Sequence, residues 1–192
     1  METSNFTVLV KQIYQSKLEV FTTKTLRDML GSKVSQAAFF SMLTRLTSQN
    51  ILQKLERDKY MLVGGRTHDF SIANFLYEPS YVSLEAALNF HGVLSQFPYE
   101  IASMTIRKPV IKTVDEKTYR YARIKKSLFW GYEPIQGFLI AQPEKALLDL
   151  LYLTSKGLAI VHTDELNTSK LDKVRFMLYV KKFPSMKGTD IL

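Results

Sequence analysis

The chain has 192 residues, 46% hydrophobic and 23% charged, proportions that allow a full core and exclude wholesale disorder. It has no cysteine and a formal net charge of +8, which excludes disulfides, cysteinyl metal sites and thiol nucleophiles and favours a polyanionic partner. No long apolar run or signal-like start occurs, so a cytoplasmic protein without a membrane partner is expected.

In chain order, Phe6, Leu9, Val10 and Ile13 recur at helical spacing and predict a leading helix over 4–16. A second helix starts at Thr22 or Thr23, both good N-caps, and stops at Gly31; the turn Gly31-Ser32-Lys33-Val34 follows. A third helix, capped by Ser35 and ending near Ser48, places Phe39, Met42, Leu43 and Leu46 on one buried face. The pattern then becomes ILQKL, ERDK and YMLV, two short strands around a charged tip. Helix, turn, helix and ribbon predict a winged helix-turn-helix domain over 1–69, closed by the linker GGRTHD at 64–69.

Taking Leu46 as the inward reference turns Ala37, Ser41, Thr44 and Ser48 outward, with Phe40 and Arg45 on the flanks. In a DNA reader Ser35, Gln36, Ser41, Thr44 and Arg45 would meet base edges or phosphates, Thr23, Lys24 and Lys33 would meet phosphates, and Lys54, Arg57 and Lys59 would hold the wing on the backbone. Winged helices also serve as protein-docking modules, and a polar outer face suits that role as well.

The remaining chain, 70–192, predicts an α+β domain with a small, mostly antiparallel sheet and flanking helices. SIANFLY at 71–77 and SLEAALNFHG at 83–92 are helical, the latter with Ser83 as N-cap and Gly92 as stop. YEIASMTI, PVIKTV, TYRYARIKK and GFLIA between 99 and 141 have strand composition, separated by Pro109, the Asp115-Glu116-Lys117 tip and the stretch from Gly131 to Gly137. PEKALLDLLYLTSKG at 143–157 is a helix with Pro143 in its first turn and Glu144 placed for the helix dipole, and a last helix is expected from Ser169 to Phe183.

Residues 1–69 hold ten Lys plus Arg against six Asp plus Glu, and residues 70–192 hold sixteen against twelve. The second excess concentrates at Arg107, Lys108, Lys112, Lys117, Arg120, Arg123, Lys125 and Lys126. Strand alternation would line Lys117, Tyr119, Tyr121, Arg123 and Lys125 along one face as a basic-aromatic strip for RNA, DNA or an acidic protein. The alternative is that the tyrosines are core and the cations only solubilise. Enzyme signatures are lacking: His68, His91 and His162 are scattered, Glu144 and Asp149 are five apart and diverge on a helix, and no P-loop or GxGxxG occurs. No cofactor or metal is expected.

The segments EPSYVSLEAALNFHGVLSQFP at 78–98 and AQPEKALLDLLYL at 141–153, behind the N-terminal helices and ribbon, resemble the AbiEi antitoxin family across nearly the whole chain. The resemblance implies a bifunctional antitoxin of a type IV abortive-infection system. Its N-terminal winged helix would bind inverted repeats in the promoter and repress its own operon. Its second domain would counteract a nucleotidyltransferase-like AbiEii toxin, commonly without a stable complex. The shared motif residues Tyr81, Ser83, Leu84, His91, Gly92, Pro143, Glu144, Lys145 and Asp149 look like fold markers and carry no catalytic role.

Overall fold

The computed structural model describes residues 2–31, 34–186 and 188–189. It is a mixed α+β protein in which contacts divide the chain into two compact units, Met1–His68 and Asp69–Leu192.

The first unit runs α1 (Glu2–Gln15), β1 (Val20–Thr22), α2 (Thr23–Leu30), α3 (Gln36–Ser48), β2 (Leu52–Glu56) and β3 (Lys59–Leu62). Local chemistry sets the helix starts: the Thr22 hydroxyl accepts the Thr25 amide at 3.0 Å, and the Ser35 hydroxyl accepts the Ala38 amide at 3.3 Å. Gly31, at φ 68, closes α2. Phe6, Leu9 and Ile13 of α1 meet Leu26 of α2 and Phe39, Met42, Leu43 and Leu46 of α3 in one core. The sheet is antiparallel, in the order β1-β3-β2. β1 is absent from the sequence expectation because three residues are too few to show alternation, yet its Phe21 is fully buried.

The second unit contains α4 (Asp69–Leu76), β4 (Ser80–Val82), α5 (Leu84–Phe90), β5 (Glu100–Thr105), β6 (Val110–Val114), β7 (Lys117–Arg123), β8 (Tyr132–Ile135), β9 (Phe138–Ala141), α6 (Pro143–Thr154) and α7 (Lys173–Val180). Its strands form one six-stranded sheet, β6-β7-β5-β4-β9-β8. The expected small, mostly antiparallel sheet is thereby corrected: β5–β7 and β4–β9 are parallel, the other three pairs antiparallel. β8 lies within the stretch from Gly131 to Gly137 that was expected only to separate strands; its Pro134 is tolerated since β8 is an edge. The β6–β7 turn uses Asp115 and Glu116 at φ 47 and 66, the backbone of a tight two-residue hairpin.

Register assigns the two faces of this sheet. Tyr121 of β7 donates to the Ala73 carbonyl of α4 at 2.6 Å, while the adjacent Arg120 points the other way to Glu85 of α5. Thus α4 covers one face and α5 the other, with α6 packed on α5 and α7 on α6. The last helix is shorter than the expected Ser169–Phe183: the Asp172 carboxylate accepts the Arg175 amide at 3.0 Å and starts α7 there, leaving Thr168–Lys170 as a separate short turn.

Candidate functional site

The outward residues of α3 form the first candidate surface. Gln36, Ala37, Phe40, Ser41, Thr44, Arg45 and Ser48 are all exposed, opposite the buried Phe39, Met42, Leu43 and Leu46. Most are small, which leaves the helix backbone close to whatever lies against it. The Thr44 hydroxyl donates to the Phe40 carbonyl at 3.0 Å, and Ser35 is occupied as the cap, so neither side chain is an idle polar group. Lys54 of β2 is exposed and shares a cleft of about 230 Å³ with Phe40, Leu43, Thr44, Thr47 and Tyr60, which brings the ribbon and α3 into one surface.

Arg45, expected on the flank of α3, is exposed and turned towards α1. Its guanidinium lies 4.1 Å from the centroid of the Phe6 ring, so it is stacked on α1 at the flank of α3. Phe40 is 45% exposed and tilts against Phe39 at 5.5 Å between centroids.

The ribbon tip is tied to α2. Asp58, at φ 61, accepts the Thr23 amide on its carbonyl at 3.0 Å and the Thr23 hydroxyl on its carboxylate at 3.1 Å. Thr23 therefore anchors the tip within the fold. A hollow of about 480 Å³ beside this tie is lined by Thr22, Thr23, Lys24, Arg27, Asp58 and Lys59. Arg27 is a member that sequence reading missed; it lies three residues from exposed Lys24 and so shares its helix face. Lys59 pairs with Glu56 at 2.8 Å, whereas Arg57 is 95% exposed and only 3.6 Å from its neighbour Asp58. Lys33 lies outside the described residues.

The basic-aromatic strip of the second unit is corrected. Tyr119 and Tyr121 are each 1% exposed beneath α4, because the face of β7 that carries them is the core face. Burial, with Asp69 and Asp115 nearby, holds the Tyr119 phenol well above its ordinary value. The cations separate into two sets. Lys117 grips both oxygens of Asp69 at 2.8 and 2.7 Å, Arg120 pairs with Glu100 and Glu85, Lys112 donates to the Leu76 carbonyl at 3.0 Å, and Arg107 donates to the Glu78 carbonyl at 2.9 Å. Lys117, Lys112 and Arg107 brace α4 and the loop after it, and Arg120 braces β5 and α5 on the opposite face. Lys108, Arg123, Lys125 and Lys126 are exposed.

A cluster that sequence spacing did not reveal joins β4 to α6. Lys145 and Asp149, one helical turn apart, form a fully buried ion pair. Lys145 donates to the Tyr81 hydroxyl at 2.7 Å, and Tyr81 and Ser83 donate to Asp149 Oδ2 at 2.9 and 2.8 Å. Ser83 thus binds Asp149 and does not cap α5 through its side chain. Burial pushes the Asp149 carboxyl up against the opposing pull of Lys145, Ser83 and Tyr81, and pushes the Lys145 ammonium down against Asp149. Tyr81 is raised well above its ordinary value by burial and then by Asp149. All four side chains are at 0% exposure, and their hydrogen bonds tie β4 and the start of α5 to α6. Glu144 likewise does more than meet its own helix dipole: it accepts the Asp172 amide at 2.7 Å and fixes the start of α7.

His91 binds the Ala141 carbonyl at 2.8 Å through Nε2. Among the described residues there is no group of three or more His, Asp or Glu placed to hold a metal, and no helix is long and apolar enough to cross a membrane.

No protein-family model matches the chain, and no curated protein matches it. Among solved structures, the crystal structure of the RV2827C protein from Mycobacterium tuberculosis is similar, with a TM-score of 0.61 at 14% identity, over 94% of this chain and 72% of that one. At that identity the likeness is one of fold, and it establishes that this α+β architecture occurs in a second chain of almost unrelated sequence.

Proposed function

We propose that the chain is an autorepressing antitoxin of the AbiEi kind, with a winged helix-turn-helix in its first unit that binds inverted repeats of its own promoter. The second unit then counteracts a nucleotidyltransferase-like toxin. The observation that carries the DNA reading is the outward face of α3, where Ser41 and Thr44 are small, polar and exposed and Thr44 shares a cleft with Lys54 of the ribbon. An α-helix of that width enters the major groove, where Gln36 can read adenine and short hydroxyls can serve either base partner. The order α1-β1-α2-α3-β2-β3, with β1 closing the sheet against β3, supports the winged-helix assignment.

The stacked Arg45 takes a flanking phosphate in this arrangement, while Lys54, Lys24 and the tip residue Arg57 supply the sequence-independent charge. Gel shift or anisotropy with the upstream promoter fragment tests it. Reversal of Lys54 and Arg57 to Glu abolishes binding at physiological salt; undiminished affinity in that variant sinks the proposed face.

A second reading, in which the first unit docks directly onto a toxin, draws on Phe40, which is 45% exposed beside a cleft it shares with Leu43 and Tyr60. Co-purification of a tight stoichiometric complex that excludes promoter DNA would favour it.

A further inference from the structure

The second unit leaves part of one sheet face uncovered. β6 is an edge strand, and on the face shared with Ile111, Arg120 and Ala122 the helix layer ends at the C-terminal turn of α6. Between them lies a groove of about 490 Å³ whose walls include Ile111, Ala122, Leu153 and Leu158. Ile111 and Leu158 are 64% and 65% exposed, so aliphatic surface faces solvent from both sides of the groove. A neighbouring hollow of about 450 Å³ shares Arg123 and Leu158 with it and adds Lys125 and Lys126.

Charge and surface type together select an occupant. Arg120 is matched by Glu100 and Glu85, while Arg123, Lys125 and Lys126 are exposed along one end and make that rim positive. Single-stranded nucleic acid is held on exposed aromatic platforms. Here Tyr119 and Tyr121 are buried beneath the other face, and Tyr152 is 3% exposed under Lys156, leaving an aliphatic floor. An aliphatic floor with a cationic end matches a helix laid by its apolar stripe into a groove, with carboxylates at the rim. We propose that this groove docks an acidic amphipathic helical segment of a partner protein, with apolar side chains between Ile111 and Leu158 and carboxylates on Arg123, Lys125 and Lys126. The proposal stands apart from any DNA binding by the first unit.

Fluorescence anisotropy on the full chain tests it with three labelled probes. One is a designed peptide with leucines at helical spacing and glutamates elsewhere, one an all-glutamate peptide of equal length, and one a single-stranded oligouridylate. The amphipathic peptide is expected to bind about tenfold or more tightly than either other probe. Ile111→Asp with Leu158→Asp, at exposed positions that leave the core intact by circular dichroism, weakens it by about tenfold, and reversal of Arg123, Lys125 and Lys126 to Glu does the same. Equal or tighter binding of the oligouridylate makes the surface a nucleic-acid site and overturns the proposal. So does equal binding of the all-glutamate peptide, which needs charge alone, survival of binding in the Ile111/Leu158 variant, or no binding of the amphipathic peptide.

Discussion

Asp149 collects three donors, from Lys145, Tyr81 and Ser83, at a position with no solvent exposure. Removing it strands a buried ammonium, so Asp149→Ala is expected to destabilise the second unit by about 3–5 kcal/mol in urea unfolding. Adding Lys145→Met to that variant recovers part of the loss, since the stranded charge is gone. Gly131 belongs to the same site: at φ 74, an added Cβ would stand 2.9 Å from Lys145 Cγ. Gly131→Ala should therefore cost more than about 1 kcal/mol, through backbone and contact alike. The buried phenols add a pH dependence. Tyr81 and Tyr119 are held above the ordinary tyrosine value of 10.0 in the folded protein, so their stabilising contribution is complete below that value. As pH rises beyond it the unfolded chain loses phenolic protons first, and stability falls. Alkaline absorbance titration is expected to show these two tyrosines ionising only with unfolding, and Tyr119→Phe should make the alkaline loss shallower.

At the scale of elements, α3 and the β2–β3 ribbon meet at Lys54, and the DNA reading makes a quantitative demand on them. Neutralising Lys54 and Arg57 together to Ala should weaken promoter binding and reduce the slope of log affinity against log salt by about 2, one per phosphate contact. Unequal effects on unrelated DNA would point to base contacts. Ser35→Ala tests the fold of the same element: loss of the cap on Ala38 should cost about 1 kcal/mol of stability. The caps at Thr22 and Ser35 and the buried stripe of α3 were legible in the sequence, because capping and periodicity act over a few residues. β1 and β4, at three residues each, were too short to show a period, and the four residues of β8 lie between Gly131 and Gly137, which read as a separator. The role of Asp58, which ties the ribbon tip to Thr23 across 35 positions, has no local signal.

For the whole molecule, the division at His68 and Asp69 allows the two activities of the proposed antitoxin to be separated. The Lys54/Arg57 charge reversal is expected to release a promoter reporter while still protecting cells from the toxin. Loss of protection in that variant would place antitoxicity in the first unit and support direct docking there. What the sequence by itself determined is the local order of most elements, the capped helix pair with its ribbon, and a basic surplus in each half. Tertiary structure decided which face of each element is surface. The pattern of β7 was visible, but whether Tyr119 and Tyr121 faced solvent depended on α4, which covers them from more than forty residues away. Lys145 and Asp149 stand one turn apart in the α6 sequence, yet only the approach of Tyr81 in β4 and of Ser83 just after it made the pair a buried tie. Burial and pairing at long sequence separation arise from packing of elements against one another, which no local pattern records.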